Sequence, residues 1–77
     1  MVTIKLFGSM RLKTGCKGIE ADVSSVLAAC QLLAEATGHN IKEFKNCVVM
    51  INGKQAKHSS KLSDGDELVL MAAAGGG

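Results

Sequence analysis

The chain ends in Gly75, Gly76 and Gly77, and here a covalent reaction is most easily written. The glycines follow Ala72, Ala73 and Ala74, so the last six residues carry nothing larger than a methyl group. Such a segment buries too little apolar surface to offset an ordering cost of about 1–2 kcal/mol per residue. Residues 72–77 are therefore predicted to form a mobile tail behind a folded body of residues 1–71. Glycine has no Cβ, so its backbone can pass close to another chain. At roughly 3.3 Å per residue the tail reaches about 20 Å at most, far enough to enter a narrow channel in a second protein. The group delivered there would be the Gly77 carboxylate, threaded by Gly75 and Gly76. A carboxylate is a poor acyl donor and must first be activated, for example as an acyl-adenylate. The chain has no phosphate-binding loop motif, so the nucleotide chemistry is assigned to a partner. A frayed end without chemistry is the plainer alternative from composition alone.

The other reactive side chains form weaker patterns. Cys16, Cys30 and Cys47 are an odd number with no Cys-x-x-Cys pair, which argues against a zinc ribbon, a thioredoxin-like site and a secreted disulfide scaffold. Three reduced thiols in a cytoplasmic protein is the simplest account. Cys30 fits a core position, and a Cys16 or Cys47 nucleophile lacks an orienting third group. His39 and His58 stand alone, with no further metal ligands at suitable spacing. Asp64 and Asp66 flank Gly65 and read as turn chemistry.

Composition removes further classes. Phe7 and Phe44 are the only aromatic residues, too few for a base-stacking surface. Nine Lys and Arg against seven Asp and Glu give a net charge of +2, too mild for a phosphate-tracking protein. The charges are unevenly placed. Lys5, Arg11, Lys13 and Lys17 precede any acid, and Lys42, Lys45, Lys54, Lys57 and Lys61 form a second basic stretch. A solvated surface is the simple reading; a docking face for an acidic protein is the sharper one. No apolar run approaches the length of a membrane span and no leader pattern opens the chain, so a soluble, cytoplasmic protein is expected, with neither nucleic acid nor membrane as partner. The length allows one domain with a small core, which favours a carrier, a binding module or a subunit over an enzyme with its own deep pocket.

The elements that must position the tail can be read from periodicity. Residues 2–7 alternate, with Val2, Ile4 and Leu6 on one face of a strand. Phe7 falls on the other parity and is expected to face outward as a partner contact, or else to join the core past a local twist. Residues 10–13 fit one helical turn, and residues 19–23 a second strand pairing back on the first. Ser24 or Ser25 caps a helix of about a dozen residues. Val26, Leu27, Cys30, Leu33 and Ala34 recur along it at helical spacing, and Gly38 ends it. Residues 40–46 read as polar and irregular. Residues 47–51 read as an interior strand, Asn52-Gly53 as a hairpin turn and residues 54–56 as the return. Leu62 is a buried leucine ahead of a turn, and residues 67–71 are the last strand, with Met71 at the base of the tail beside the Phe7 patch. The predicted class is α+β: a mixed sheet of four to five strands with one main helix, the β-grasp or ubiquitin-like arrangement.

Four segments resemble the ubiquitin-like sulfur carriers of the MoaD and ThiS family, and the likeness covers nearly the whole chain. Residues 4–12, Ile-Lys-Leu-Phe-Gly-Ser-Met-Arg-Leu, are similar to the MoaD opening. Residues 49–54 resemble the family's Val-Asn-Gly hairpin and residues 62–68 its Asp-Gly-Asp-Glu turn; Gly76-Gly77 matches its terminal diglycine. The resemblance implies that a MoeB- or ThiF-type adenylyltransferase activates Gly77 with ATP and magnesium and that a thiocarboxylate follows. It also implies that the carrier binds no cofactor itself. In the MoaD case the tail enters a MoaE-type large subunit and the sulfur goes into molybdopterin. The chain is then at most the small subunit of a heteromeric synthase. In the ThiS case a thiazole synthase receives the sulfur; cysteine synthesis and tRNA thiolation are further destinations. Arg11 occupies the loop where MoaD-like chains place an arginine that can meet an acid on the activating enzyme. Met71-Ala72-Ala73-Ala74 departs from MoaD tails, which often carry prolines and an aromatic, and the triple glycine is commoner among ThiS-like chains. The balance falls to a MoaD-like carrier. The alternatives from other classes are a ubiquitin-like protein modifier and a β-grasp interaction domain that never uses its tail.

Overall fold

The computed structural model describes residues 1–72. The elements in chain order are β1 (Val2–Phe7), α1 (Ser9–Thr14), β2 (Gly18–Ala21), α2 (Val26–Thr37), α3 (Ile41–Lys45), β3 (Val48–Ile51), β4 (Lys54–Ala56) and β5 (Glu67–Met71). They build a five-stranded mixed sheet in the order β2-β1-β5-β3-β4. β1 and β5 run parallel at its centre, with Ile4 opposite Leu68 and Phe7 opposite Met71. The other pairings are antiparallel. This is the β-grasp arrangement expected from the sequence, and the strand alternation explains why it forms. Ile4, Leu6, Val49, Leu68 and Leu70 point to one face and are fully or almost fully buried. Val26, Ala29, Cys30 and Leu33 of α2 meet them there.

α2 begins and ends where its signals stand. Ser25 is the cap, its Oγ accepting from the Ala28 N–H at 3.1 Å. Gly38 closes the helix in the left-handed region (φ 74°), and its N–H donates to the Ala34 carbonyl at 3.0 Å. The buried stripe is not the one expected, however. Leu27 is 42% exposed, and Ala29 takes the core position one helical step from Val26.

Two further corrections concern irregular segments. Residues 40–46 are not a loop: α3 lies there, capped by Asn40, whose side chain accepts from the Lys42 N–H at 2.9 Å. It exists to deliver Phe44, the largest fully buried side chain, at 0% exposure. Ile41, three residues earlier, packs on the same side. Five polar or charged neighbours hide this pair from a periodicity reading. β2 is shifted, running from Gly18 to Ala21 rather than 19–23, because Gly18 pairs with Lys5 and Ala21 with Val2. No helix among the described residues is long and apolar enough to cross a membrane.

Candidate functional site

β5 runs from a closed corner to an open end. At its start, Asn52 (φ 52°) and Gly53 (φ 83°) make the tight turn between β3 and β4. The Asn52 side chain then reaches across to β5. Its Nδ2 donates to Asp66 Oδ1 and its Oδ1 accepts from the Glu67 N–H, both at 2.9 Å. Asp66 Oδ2 also accepts from the Ser63 N–H at 2.8 Å. The Ser63 and Asn52 bonds hold the Asp66 carboxyl below its usual range. The Asn-Gly and Asp-Gly-Asp motifs, far apart in sequence, are thus one hydrogen-bonded corner.

At the other end, Met71 lies between Phe7 of β1 and Val48 of β3. One row back, Val69 lies between Lys5 and Met50. These outward positions oppose the buried parity, so Phe7, Val48, Met50, Val69 and Met71 form a continuous apolar patch on the sheet face that the helices leave uncovered. Phe7 is 42% exposed, settling its orientation in favour of the outward reading. The sequence singled out Phe7 and Met71 but missed Val48, Met50 and Val69, although strand parity marks them. Leu12, 86% exposed on α1, was also passed over. Contiguous apolar patches on a surface are the kind of feature that protein contacts use.

Arg11 is not in a loop. It sits on α1, whose C-terminal Gly15 N–H donates to the Arg11 carbonyl at 3.0 Å. α1 is anchored by the buried Met10 and by Lys13, which pairs with Glu43 of α3 at 3.1 Å. His39 Nδ1 lies 2.9 Å from the other Glu43 oxygen. Lys13 first, then His39, hold the Glu43 carboxyl below its usual range. The remaining tail residues of the proposed site, Gly75, Gly76 and Gly77, lie outside the described residues. Ala72 is described and half-buried against the core.

The thiols and imidazoles do not assemble a second centre among the described residues. Burial pushes the Cys30 thiol up to about 11 and the Cys47 thiol up as well, which keeps both protonated near neutral pH. Cys47 Sγ donates to the Glu43 carbonyl at 3.3 Å, and His58 Nε2 donates to the Phe44 carbonyl at 3.3 Å. Each is used in packing one element on another.

Comparison with known proteins agrees with this geometry. The ThiS family model matches residues 4–77. A chain of the Amycolatopsis orientalis BexX/CysO complex is 26% identical, with 100% of each chain covered and a TM-score of 0.75. SAMP1 from Haloferax volcanii is 24% identical over 99% of this chain and 98% of that one, with a TM-score of 0.73. A chain from the complex of subunits 1 and 2 of molybdopterin-converting factor from Helicobacter pylori is 19% identical over 99% and 97%, with a TM-score of 0.69. No curated protein matches.

Proposed function

Since the chain belongs to the ThiS family of small ubiquitin-like carriers, we propose that it carries sulfur on its own C-terminal carboxylate. A MoeB- or ThiF-type partner, using ATP and magnesium, joins the Gly77 carboxylate to AMP and releases pyrophosphate. Hydrosulfide-level sulfur then displaces AMP, one carboxylate oxygen leaving with the nucleotide, and Gly77 becomes a thiocarboxylate. The protein itself performs no catalysis. Its body docks through Phe7, Arg11 and Met71 and presents Gly75, Gly76 and Gly77 to the partner's channel. Its three free thiols suit a reducing compartment such as the cytoplasm.

The observation that carries this reading is the family match running through Gly77. β5 supports it by ending at Met71, beside the exposed Phe7. Intact mass after incubation with the activating enzyme, ATP and a sulfur donor tests it. One oxygen-for-sulfur exchange, localised to Gly77, is expected. An unchanged mass, with a control carrier converted in parallel, overturns the proposal.

The MoaD-like opening, hairpin and acidic turn favour molybdopterin as the destination, with a MoaE-type large subunit as the receiving partner. A second reading has its own support. The 26% identity to a chain of the BexX/CysO complex favours a carrier serving a different acceptor. Thiazole formation, through a thiazole synthase, belongs to the same alternative. Sulfur transfer from the loaded protein to each candidate acceptor in turn separates them.

A further inference from the structure

The open groove of about 480 Å3 between β1 and β2, lined by Lys5, Phe7, Arg11 and Lys17, belongs to the face already assigned to docking. The closed corner at the other end of β5 has no part in that assignment, and it holds a reactive pair of residues. The chain has three asparagines: Asn40 precedes Ile41, Asn46 precedes Cys47 and Asn52 precedes Gly53. Asparagine is thermally labile because its side-chain amide can be attacked by the backbone nitrogen of the next residue. A side chain on that next residue obstructs the attack, and glycine has none. Gly53 stands in open space, with nothing within 4 Å of the position a Cβ would take. Asn52 and Gly53 are both exposed, so water reaches the step between them.

The folded corner holds this asparagine out of reach. In the sheet, β4 and β5 flank β3 on opposite sides. Gly53 leads the chain toward β4, whereas the Asn52 side chain lies toward β5. There its Nδ2 donates to Asp66 Oδ1 and its Oδ1 accepts from the Glu67 N–H, both at 2.9 Å. The Asn52 N–H donates in turn to the Glu67 carbonyl at 2.9 Å. Asp66 is itself fixed. Its Oδ2 accepts from the Ser63 N–H at 2.8 Å, and its carbonyl accepts from the Thr3 N–H at 3.0 Å. Both polar atoms of the Asn52 amide are therefore committed, and turning the side chain onto Gly53 breaks both of its bonds at once.

We propose that Asn52 is a site of self-modification, held shut by Asp66 and Glu67 and opened when this corner comes apart. The Gly53 nitrogen then bonds to Asn52 Cγ, the Cγ–Nδ2 bond breaks, and Nδ2 leaves as ammonia with the Gly53 proton. Water opens the resulting succinimide at either carbonyl and leaves aspartate or isoaspartate at position 52. No enzyme, oxidant or cofactor enters the balance. Loss of ammonia to solvent makes the change irreversible, and the product cannot retie the corner. A carboxylate at position 52 offers no donor to Asp66 and sets two like charges face to face. Isoaspartate also adds a backbone carbon to a two-residue turn whose length fixes the register of β3 and β4. The inference stands apart from the carrier reading, which concerns the other end of β5.

The test incubates the full chain in mildly alkaline buffer, with and without guanidinium chloride. Acidic species are followed by charge separation and located by peptide mass mapping. Each conversion replaces an amide by an acid and adds one negative charge; isomerisation at Asp64-Gly65 adds none, so it is not counted. In the native chain, conversion at Asn52 should run at least about thirtyfold more slowly than in the unfolded chain, the combined weight of the two bonds. Asp66→Ala removes the acceptor of Nδ2 and should speed conversion in the folded chain about tenfold. Circular dichroism checks that this variant is folded. Equal rates in the native and unfolded chain, or a first conversion at Asn40 or Asn46, overturn the proposal. An unchanged rate in folded Asp66→Ala does the same. If that variant does not fold, the ratio of native to unfolded rates in the wild-type chain decides alone.

Discussion

The two ends of β5 are built to opposite purposes. At Glu67 the strand is tied down by Asn52 and flanked by the Asp66–Ser63 bond and the Lys5 ion pair. At Met71 it lies between an exposed Phe7 and Val48 and then leaves the sheet. Polar side chains are spent at the end that only has to hold. Apolar side chains are left partly in water at the end proposed to meet another protein. Uncovered apolar surface costs stability when the protein is alone, and association recovers it.

If this division is right, damage to the two ends should register in different assays. The largest effect is expected from deleting Gly76 and Gly77: sulfur loading vanishes while the thermal midpoint stays at the wild-type value. Residual loading of the truncated chain would break the assignment of function to the open end. Next comes Phe44→Ala beneath the sheet, which should cost about 3–5 kcal/mol of stability. In a domain this small, each kcal/mol lowers Tm by about 4–8 °C, so melting followed by circular dichroism checks it directly. Phe7→Ala should do the reverse. Its Tm shift corresponds to within about 0.5 kcal/mol, while the Kd for the activating enzyme rises about fivefold or more, the loss of more than about 1 kcal/mol expected at an aromatic anchor. An unaltered Kd would remove Phe7 from the interface.

Asn52→Ala should lower Tm by less than Phe44→Ala and leave loading at room temperature unchanged, since it unties only the closed corner. The smallest effect is its pH dependence. Asp66 has a depressed folded-state pKa, so its contribution is present above the ordinary value of 3.8 and is lost as pH falls through the folded one. The Tm gap between wild type and Asn52→Ala should therefore narrow below pH 3.8. A gap that stays constant through acid would show that the Asn52–Asp66 bond contributes nothing.

Local signals were strongest where one residue type does one job. Ser25 and Gly38 bracket α2, Asn52-Gly53 turns the hairpin, and alternation in residues 2–7 and 67–71 separates the buried from the exposed face. They failed where the reason for a residue lies in a distant element. Phe44 is buried because a short capped helix turns it inward; its own neighbours are polar. Leu27 is exposed because the buried stripe of α2 runs through Val26, Ala29, Cys30 and Leu33. Arg11 joins a groove whose other wall comes from residues 17–20.

What the chain determines by itself is the strands and the main helix α2, though not α3, together with the inward parity of β1 and β5 and the small-residue run from Ala72 to Gly77. These follow from backbone preferences and hydrophobic period, which act over a few residues at a time. Tertiary structure alone decided that Phe7, Met71 and Val48 are neighbours, that Asn52 holds Asp66, and that Lys5, Arg11 and Lys17 share one groove. Each of those depends on a strand pairing: the parallel pairing of β1 with β5 brings Phe7 beside Met71 across almost the whole sequence, antiparallel β3–β5 pairing brings Val48 to Met71 and Asn52 to Asp66, and antiparallel β1–β2 pairing brings Lys17 to Lys5. Long-range strand pairing is fixed by the collective burial of Ile4, Leu6, Leu68 and Leu70, and no short window of sequence contains that sum.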